Sequence, residues 1–192
     1  MGSNQAVIEA LKVAFGHRKK PDNHRLLVAD AFDPEREPLE TLLVAKSPWE
    51  LTPTEIRDVI SGNLWMLTPA AFHYYLPAFL AAMLQDDGNL GLFSDEMVDS
   101  LTRPNVGDAE LLLERFDGQS ELAFVSSLGS IYHEWYSSGW PDTLFLHRYG
   151  TLTDAEKHAV LVCIERFREL YGDDYPDDEL GEVITRYWSA YR

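Results

Sequence analysis

Leu67-Thr68-Pro69-Ala70-Ala71-Phe72-His73-Tyr74-Tyr75-Leu76-Pro77-Ala78-Phe79-Leu80 is the stretch whose reading decides the fold. Thr68 suits an N-cap, and Pro69 stands at the first helical position, where a missing N–H is tolerated. Phe72, Leu76, Phe79, Leu80 and Met83 then recur at helical spacing and predict a helix with its apolar side in a core. Pro77 lies inside that helix, removes one backbone hydrogen bond and predicts a kink that frees the carbonyl of His73. Tyr75 falls with Phe72 and Phe79, and Tyr74 and His73 fall at the margin. The tyrosine hydroxyls are expected to satisfy buried backbone at the kink, the alternative being a small polar pocket there.

Helix signals continue on both sides. Val7, Ile8, Leu11 and Phe15 form an amphipathic stripe from about Gln5 to Phe15. Residues 17–37 carry Pro21 and Pro34 and predict a long connection, with a short extended element near residues 25–30 at Leu26-Leu27-Val28. A short helix is expected from Pro38 to Ala45. Thr52-Pro53-Thr54-Glu55 is a capping box that opens a helix ending at Gly62. Asp95 to Leu101, Asp108 to Phe116 and Ser120 to Tyr136 predict three more. Ser137-Ser138-Gly139-Trp140-Pro141 is loop chemistry. Thr153-Asp154-Ala155-Glu156 is a second capping box, followed by the stripe Val160, Cys163, Ile164, Phe167 and Leu170 and a stop at Gly172. The last helix aligns Leu180, Val183, Ile184, Tyr187, Trp188 and Tyr191. The expected fold is all-α: one irregular bundle of about seven or eight helices over residues 1–192, with its core in 38–192.

The composition limits what this bundle can do. An apolar share of 45% with 12% aromatics is that of a chain with a core. Against 32 Asp and Glu stand 16 Lys and Arg, a net charge of −16. Such a surface repels nucleic acid and anionic membranes and favours encounter with a basic protein; the blander reading is that acidity maintains solubility. Cys163 is the only cysteine, so no internal disulfide forms. The N-terminus lacks the pattern of a signal peptide, and Phe72 to Leu84 is too short to span a bilayer. A cytoplasmic protein is the expectation.

Three stretches together resemble an uncharacterised family of bacterial helical domains: Trp49-Glu50-Leu51, the Leu67–Leu80 run, and Leu152-Thr153-Asp154-Ala155-Glu156-Lys157-His158-Ala159-Val160. The Phe-x-Tyr-Tyr-Leu-Pro core of the middle run is the specific part. The resemblance spans about residues 40 to 170 and departs from the family pattern over Asp108 to Tyr149. It implies a helical fold and no particular activity. By type, small acidic chains of this kind are also similar to immunity proteins of bacterial antagonism, including type VI secretion.

Motifs for chemistry are sparse. Among His17, His24, His73, His133, His147 and His158 no pair has the His-Glu-x-x-His spacing; His133-Glu134 begins one, but position 137 is Ser. Cys163 falls on an apolar helix face, where a buried thiol is expected. Gly88 and Gly91 lack the following Lys and hydroxyl of a phosphate loop. Neither a cofactor nor a metal is expected, and no enzymatic activity.

What remains is a surface. Asp173, Asp174, Asp177, Asp178, Glu179 and Glu182 cluster with no basic residue among them. Capping of the final helix accounts for two or three of these acids, not six. They are read as a docking face for Lys and Arg, with Trp135, Tyr136 and Trp140 as aromatic anchors, although Trp135 fits the core equally well. The expected function is that of an immunity protein that binds and neutralises a cognate toxin, best a basic nuclease, without contacting nucleic acid or membrane. The alternative is an adaptor or regulatory binding module with no toxin involved, and a metal-dependent enzyme comes third.

Overall fold

The computed structural model describes residues 3–28, 34–85, 90–114 and 123–192. The chain is all-α, with ten helices and no strand among the described residues. It divides into two compact units, one formed by Met1–Thr102 with Leu152–Arg192 and the other by Arg103–Thr151.

In the first unit, α1 (Asn4–Phe15), α4 (Pro69–Leu84) and α9 (Asp154–Tyr171) pack against one another. The reason is visible in their stripes. Val7, Ile8, Leu11 and Phe15 of α1 are buried, as are Val160, Cys163, Ile164 and Phe167 of α9. Between them lies α4, buried on nearly every side, with Phe72, Tyr75, Leu76 and Phe79 fully enclosed. A helix apolar all round belongs inside rather than on a surface. It runs unbroken through Pro77. Tyr75 does use its hydroxyl on buried backbone, but not at the proline. It meets the carbonyls of Leu43 at 2.7 Å and Lys46 at 2.8 Å, and so ties down the end of α2 (Arg36–Ala45).

The capping boxes form as the sequence predicts. The Thr153 hydroxyl accepts from the Glu156 amide at 3.3 Å while the Glu156 carboxylate accepts from the Thr153 amide at 2.8 Å. The pair Thr52 and Glu55 makes the same exchange at 3.3 and 2.9 Å. The helix it opens, α3, is α-helical over Pro53–Glu55 and widens to a π turn over Ile56–Ile60, closed by Ser61 N–H on the Ile56 carbonyl at 2.8 Å. Gly62 follows with φ of 79°, the left-handed stop its position predicts. The connection after α1 is stitched down by Leu26 and Leu27, both buried, and by an isolated antiparallel bridge between Leu27 and Leu67. That bridge is what the structure has of the extended element expected near 25–30; residues 29 and 30 lie outside the described residues.

Helix α5 (Phe93–Leu101) and α10 (Glu179–Arg186) close the far side of this unit. The final helix is shorter than its stripe predicts: it breaks at Tyr187 (φ −149°, ψ −50°), and a 3-10 turn carries Trp188–Tyr191. The break turns the Trp188 ring fully into the core, where its indole N–H donates to the Leu101 carbonyl at 2.9 Å.

The second unit holds α6 (Asp108–Glu114), α7 (Ala123–Ser137) and α8 (Trp140–Tyr149), with α7 packed on each of the others. The predicted ends of the first two at Phe116 and Ser120 lie outside the described residues. Helix α8 corrects the loop reading of Trp140-Pro141. Pro141 sits in its first turn, and only Ser138 and Gly139, the latter at φ 72°, form the turn before it. Across the described residues no helix is long and apolar enough to cross a membrane.

Candidate functional site

The predicted acidic face lies in the first unit. Asp173 and Asp174 stand on a 3-10 turn after α9, Asp177 and Asp178 follow, and Glu179 and Glu182 begin α10. All are exposed except Glu179, which is half-buried. The cluster is not free of cations, as its sequence suggested. Arg168 donates to Asp178 at 2.6 Å and Arg186 to Glu182 at 2.6 Å. Asp178 does occupy the N-cap position of α10, but in a left-handed conformation (φ 56°) with no side-chain capping bond. Its carboxylate lies over Gly181, where an added Cβ would clash with Oδ2.

The fold adds what the sequence could not. The Tyr175 hydroxyl donates to Asp95 Oδ1 of α5 at 2.8 Å. Burial first, then that bond and the charges of Asp95, Asp174 and Asp99, hold the phenol above the usual tyrosine range. The acidic face is therefore assembled from two distant segments, with Tyr175 between them.

The aromatic anchors lie in the second unit, so the two predicted sets do not form one constellation inside either unit. Trp135 is 42% exposed and Trp140 52% exposed, which settles the open choice for Trp135 against the core; Tyr136 is half-buried. The two tryptophans flank the α7–α8 turn. The Ser138 hydroxyl donates to the Trp135 carbonyl at 2.6 Å and accepts from the Trp140 amide at 3.1 Å. Each has an apolar companion one turn away on its own helix: Ile131, 60% exposed, and Leu144, 49% exposed. The opposite need is met by Phe145 and Tyr149, buried with ring centroids 4.9 Å apart. Arg103 fixes the start of α8 through a two-point bond to Asp142 at 2.7 and 3.3 Å.

A third place was not anticipated. Arg18, just past α1, grips Glu156 with Nε and Nη2 at 2.6 and 2.7 Å, and its Nη1 lies 3.4 Å from His73 Nδ1. The Glu156 side chain is fully buried. Burial opposes its charge, yet the Arg18 guanidinium and the Thr153 amide hold the carboxyl below the usual range. Beside this pair opens a cleft of about 170 Å³ lined by Lys12, Phe15, Arg18, Ser47, Trp49 and Tyr74, with Pro48 and Pro77 completing it. Trp49 belongs to a Ser47-x-x-Glu50 capping box and stands 44% exposed.

Cys163 is buried as expected, its thiol directed at the Leu80 carbonyl at 3.6 Å and its pKa pushed up by burial. The apolar void next to it, about 10 Å³, is at the lower limit for a single water. No three His, Cys, Asp or Glu side chains are grouped as metal ligands among the described residues. Searches for known protein families, curated proteins and solved structures similar to this chain found no match.

Proposed function

We propose that this is an immunity protein, a binding protein that neutralises a cognate bacterial toxin by covering it. The observation that carries the binding reading is the pair of exposed tryptophans, Trp135 and Trp140, each extended by an exposed aliphatic residue at helical spacing. Large apolar side chains held in water are a standing cost of about 25 cal/mol per Å² that a partner's surface relieves. Tryptophan is also the residue most enriched among those that dominate interface energies. The fixed turn between the helices keeps the backbone of both anchors in place before binding, which lowers the entropy lost on association.

The partner class follows from charge. A surface with an excess of 16 negative charges accelerates encounter with a basic protein and disfavours a polyanion. Nucleases present basic active-site surfaces because they must hold phosphates, so a nuclease toxin is the best-matched target. Membership of the helical family resembled by the Leu67–Leu80 run belongs to the same proposal. Of its Phe-x-Tyr-Tyr-Leu-Pro signature, Phe72, Tyr75, Leu76 and Pro77 are buried and Tyr74 is half-buried, so the signature mainly specifies a scaffold and leaves the surface to choose the partner.

The test is direct. Cells expressing the toxin encoded beside this gene should survive when the protein is co-expressed and die when it carries Trp135→Ala with Trp140→Ala. If the wild type gives no protection and does not bind that toxin, the immunity reading is lost; binding of some other protein through the same tryptophans would leave an adaptor.

A further inference from the structure

We propose that the cleft between the end of α1, the Ser47–Glu50 turn and α4 binds a small organic carboxylate with an aromatic body. All of its residues belong to the first unit, so it stands independently of the tryptophans that carry the protein-binding reading. Its volume, about 170 Å³, exceeds by roughly tenfold the ~10–15 Å³ that admits one water. That is room for a small ring compound and too little for a dinucleotide.

The lining sorts into two kinds of surface. Phe15, Pro48, Trp49, Tyr74 and Pro77 supply flat or apolar walls, and Lys12 and Arg18 supply positive charge. In a chain with half as many basic as acidic residues, the lining carries two cations and no carboxylate, their counter-charges Glu9 and Glu156 standing outside it. Lys12 holds its ammonium 5.2 Å from the centre of the Trp49 ring, so cation and aromatic wall form one surface. Arg18 is fixed by the two-point grip of the buried Glu156. Of its five N–H bonds that grip uses two and the approach to His73 one, so donors remain for an anion. Lys12 spends one of its three donors on Glu9 at 2.9 Å and is 40% exposed, free to turn toward a ligand. A carboxylate between Lys12 and Arg18 with its ring against Trp49 and Tyr74 satisfies both kinds of wall at once. An inorganic anion would leave the aromatic wall unused, and a neutral ring would leave the cations unused.

Titration followed by the Trp49 indole N–H resonance tests this, with benzoate, benzyl alcohol and inorganic phosphate as probes. Benzoate should shift that resonance saturably and bind about tenfold or more tighter than either of the others, a ratio worth about 1.4 kcal/mol. Lys12→Met should weaken benzoate by about tenfold, the lower end of the range for one charge-assisted hydrogen bond, without changing the circular dichroism of the protein, and Trp49→Ala should abolish binding read by the shifts of Tyr74. Equal binding of benzyl alcohol, equal binding of phosphate, or no saturable shift with benzoate would each overturn the proposal.

Discussion

At the scale of single residues, two buried polar contacts hold the first unit in a way that aromatic packing alone does not. The Tyr75 hydroxyl serves two carbonyls at the end of α2. Its single proton is shared between them; the bond to the Leu43 carbonyl is buried, while the Lys46 carbonyl is part-buried and also accepts from Lys20 Nζ at 3.1 Å. Tyr75→Phe should therefore destabilise the protein by about 1–2 kcal/mol in a denaturant titration, with little change in slope. Glu156 is the second. Its carboxyl is buried, bonded to Arg18 and to the Thr153 cap, and its folded pKa is depressed. A depressed value means stability that is fully present above the unfolded value, about pH 4.3, and lost as pH falls through the folded one. Glu156→Gln should cost about 3 kcal/mol at neutral pH, since it leaves a partly buried guanidinium without its counter-charge. The difference from wild type should begin to narrow as pH falls below the unfolded value of about 4.3, and close as pH falls through the depressed folded one. A gap that stayed constant from pH 7 to pH 3 would show that Glu156 acts by shape and not by charge.

At the scale of elements, the caps and stops are where sequence and structure agree best. Gly62 ends α3 in the left-handed region, with open space where a Cβ would stand. Gly62→Ala should therefore cost about 1–2 kcal/mol from backbone strain alone, measured by thermal or chemical unfolding. Both predicted capping boxes form because the signal, a hydroxyl followed three residues later by Glu, is wholly local. The core helix was legible for a similar reason: its apolar residues outnumber anything a surface face needs. Other features had no local signal. Trp140-Pro141 reads as a turn, yet proline is as welcome in a helix's first turn as in a loop, and the preceding Gly139 could equally end one helix or begin another. Tyr187 continues an unbroken apolar stripe, so its departure from helical angles shows only when Trp188 has a core to enter. The joining of Asp95 to Tyr175 spans 80 residues, a separation over which no spacing rule operates.

At the scale of the whole molecule, the acidic face and the exposed tryptophans are two surfaces with different physics. On the proposed reading, charge would set how fast a basic partner arrives, and the tryptophans how long it stays. These separate experimentally. Raising salt from about 0.05 to 0.5 M should slow association strongly, because the Debye length falls from roughly 14 to 4 Å, while dissociation changes little. Loss of Trp135 and Trp140 should do the reverse, raising the dissociation rate and sparing association. The candidate anchors were legible as residue types, and the acidic segment as a charge run. Which of them face water was not, because exposure depends on what the rest of the chain leaves uncovered.

The most direct measurement is calorimetric titration of the purified protein against the proposed cognate toxin, catalytically inactivated, for wild type and for Trp135→Ala with Trp140→Ala. Tight binding by the wild type and a loss of about a hundredfold to a thousandfold in the double variant, from two anchors each worth about 1.5–2 kcal/mol, is the result expected. Undiminished affinity in the double variant, or no binding by the wild type, would contradict it.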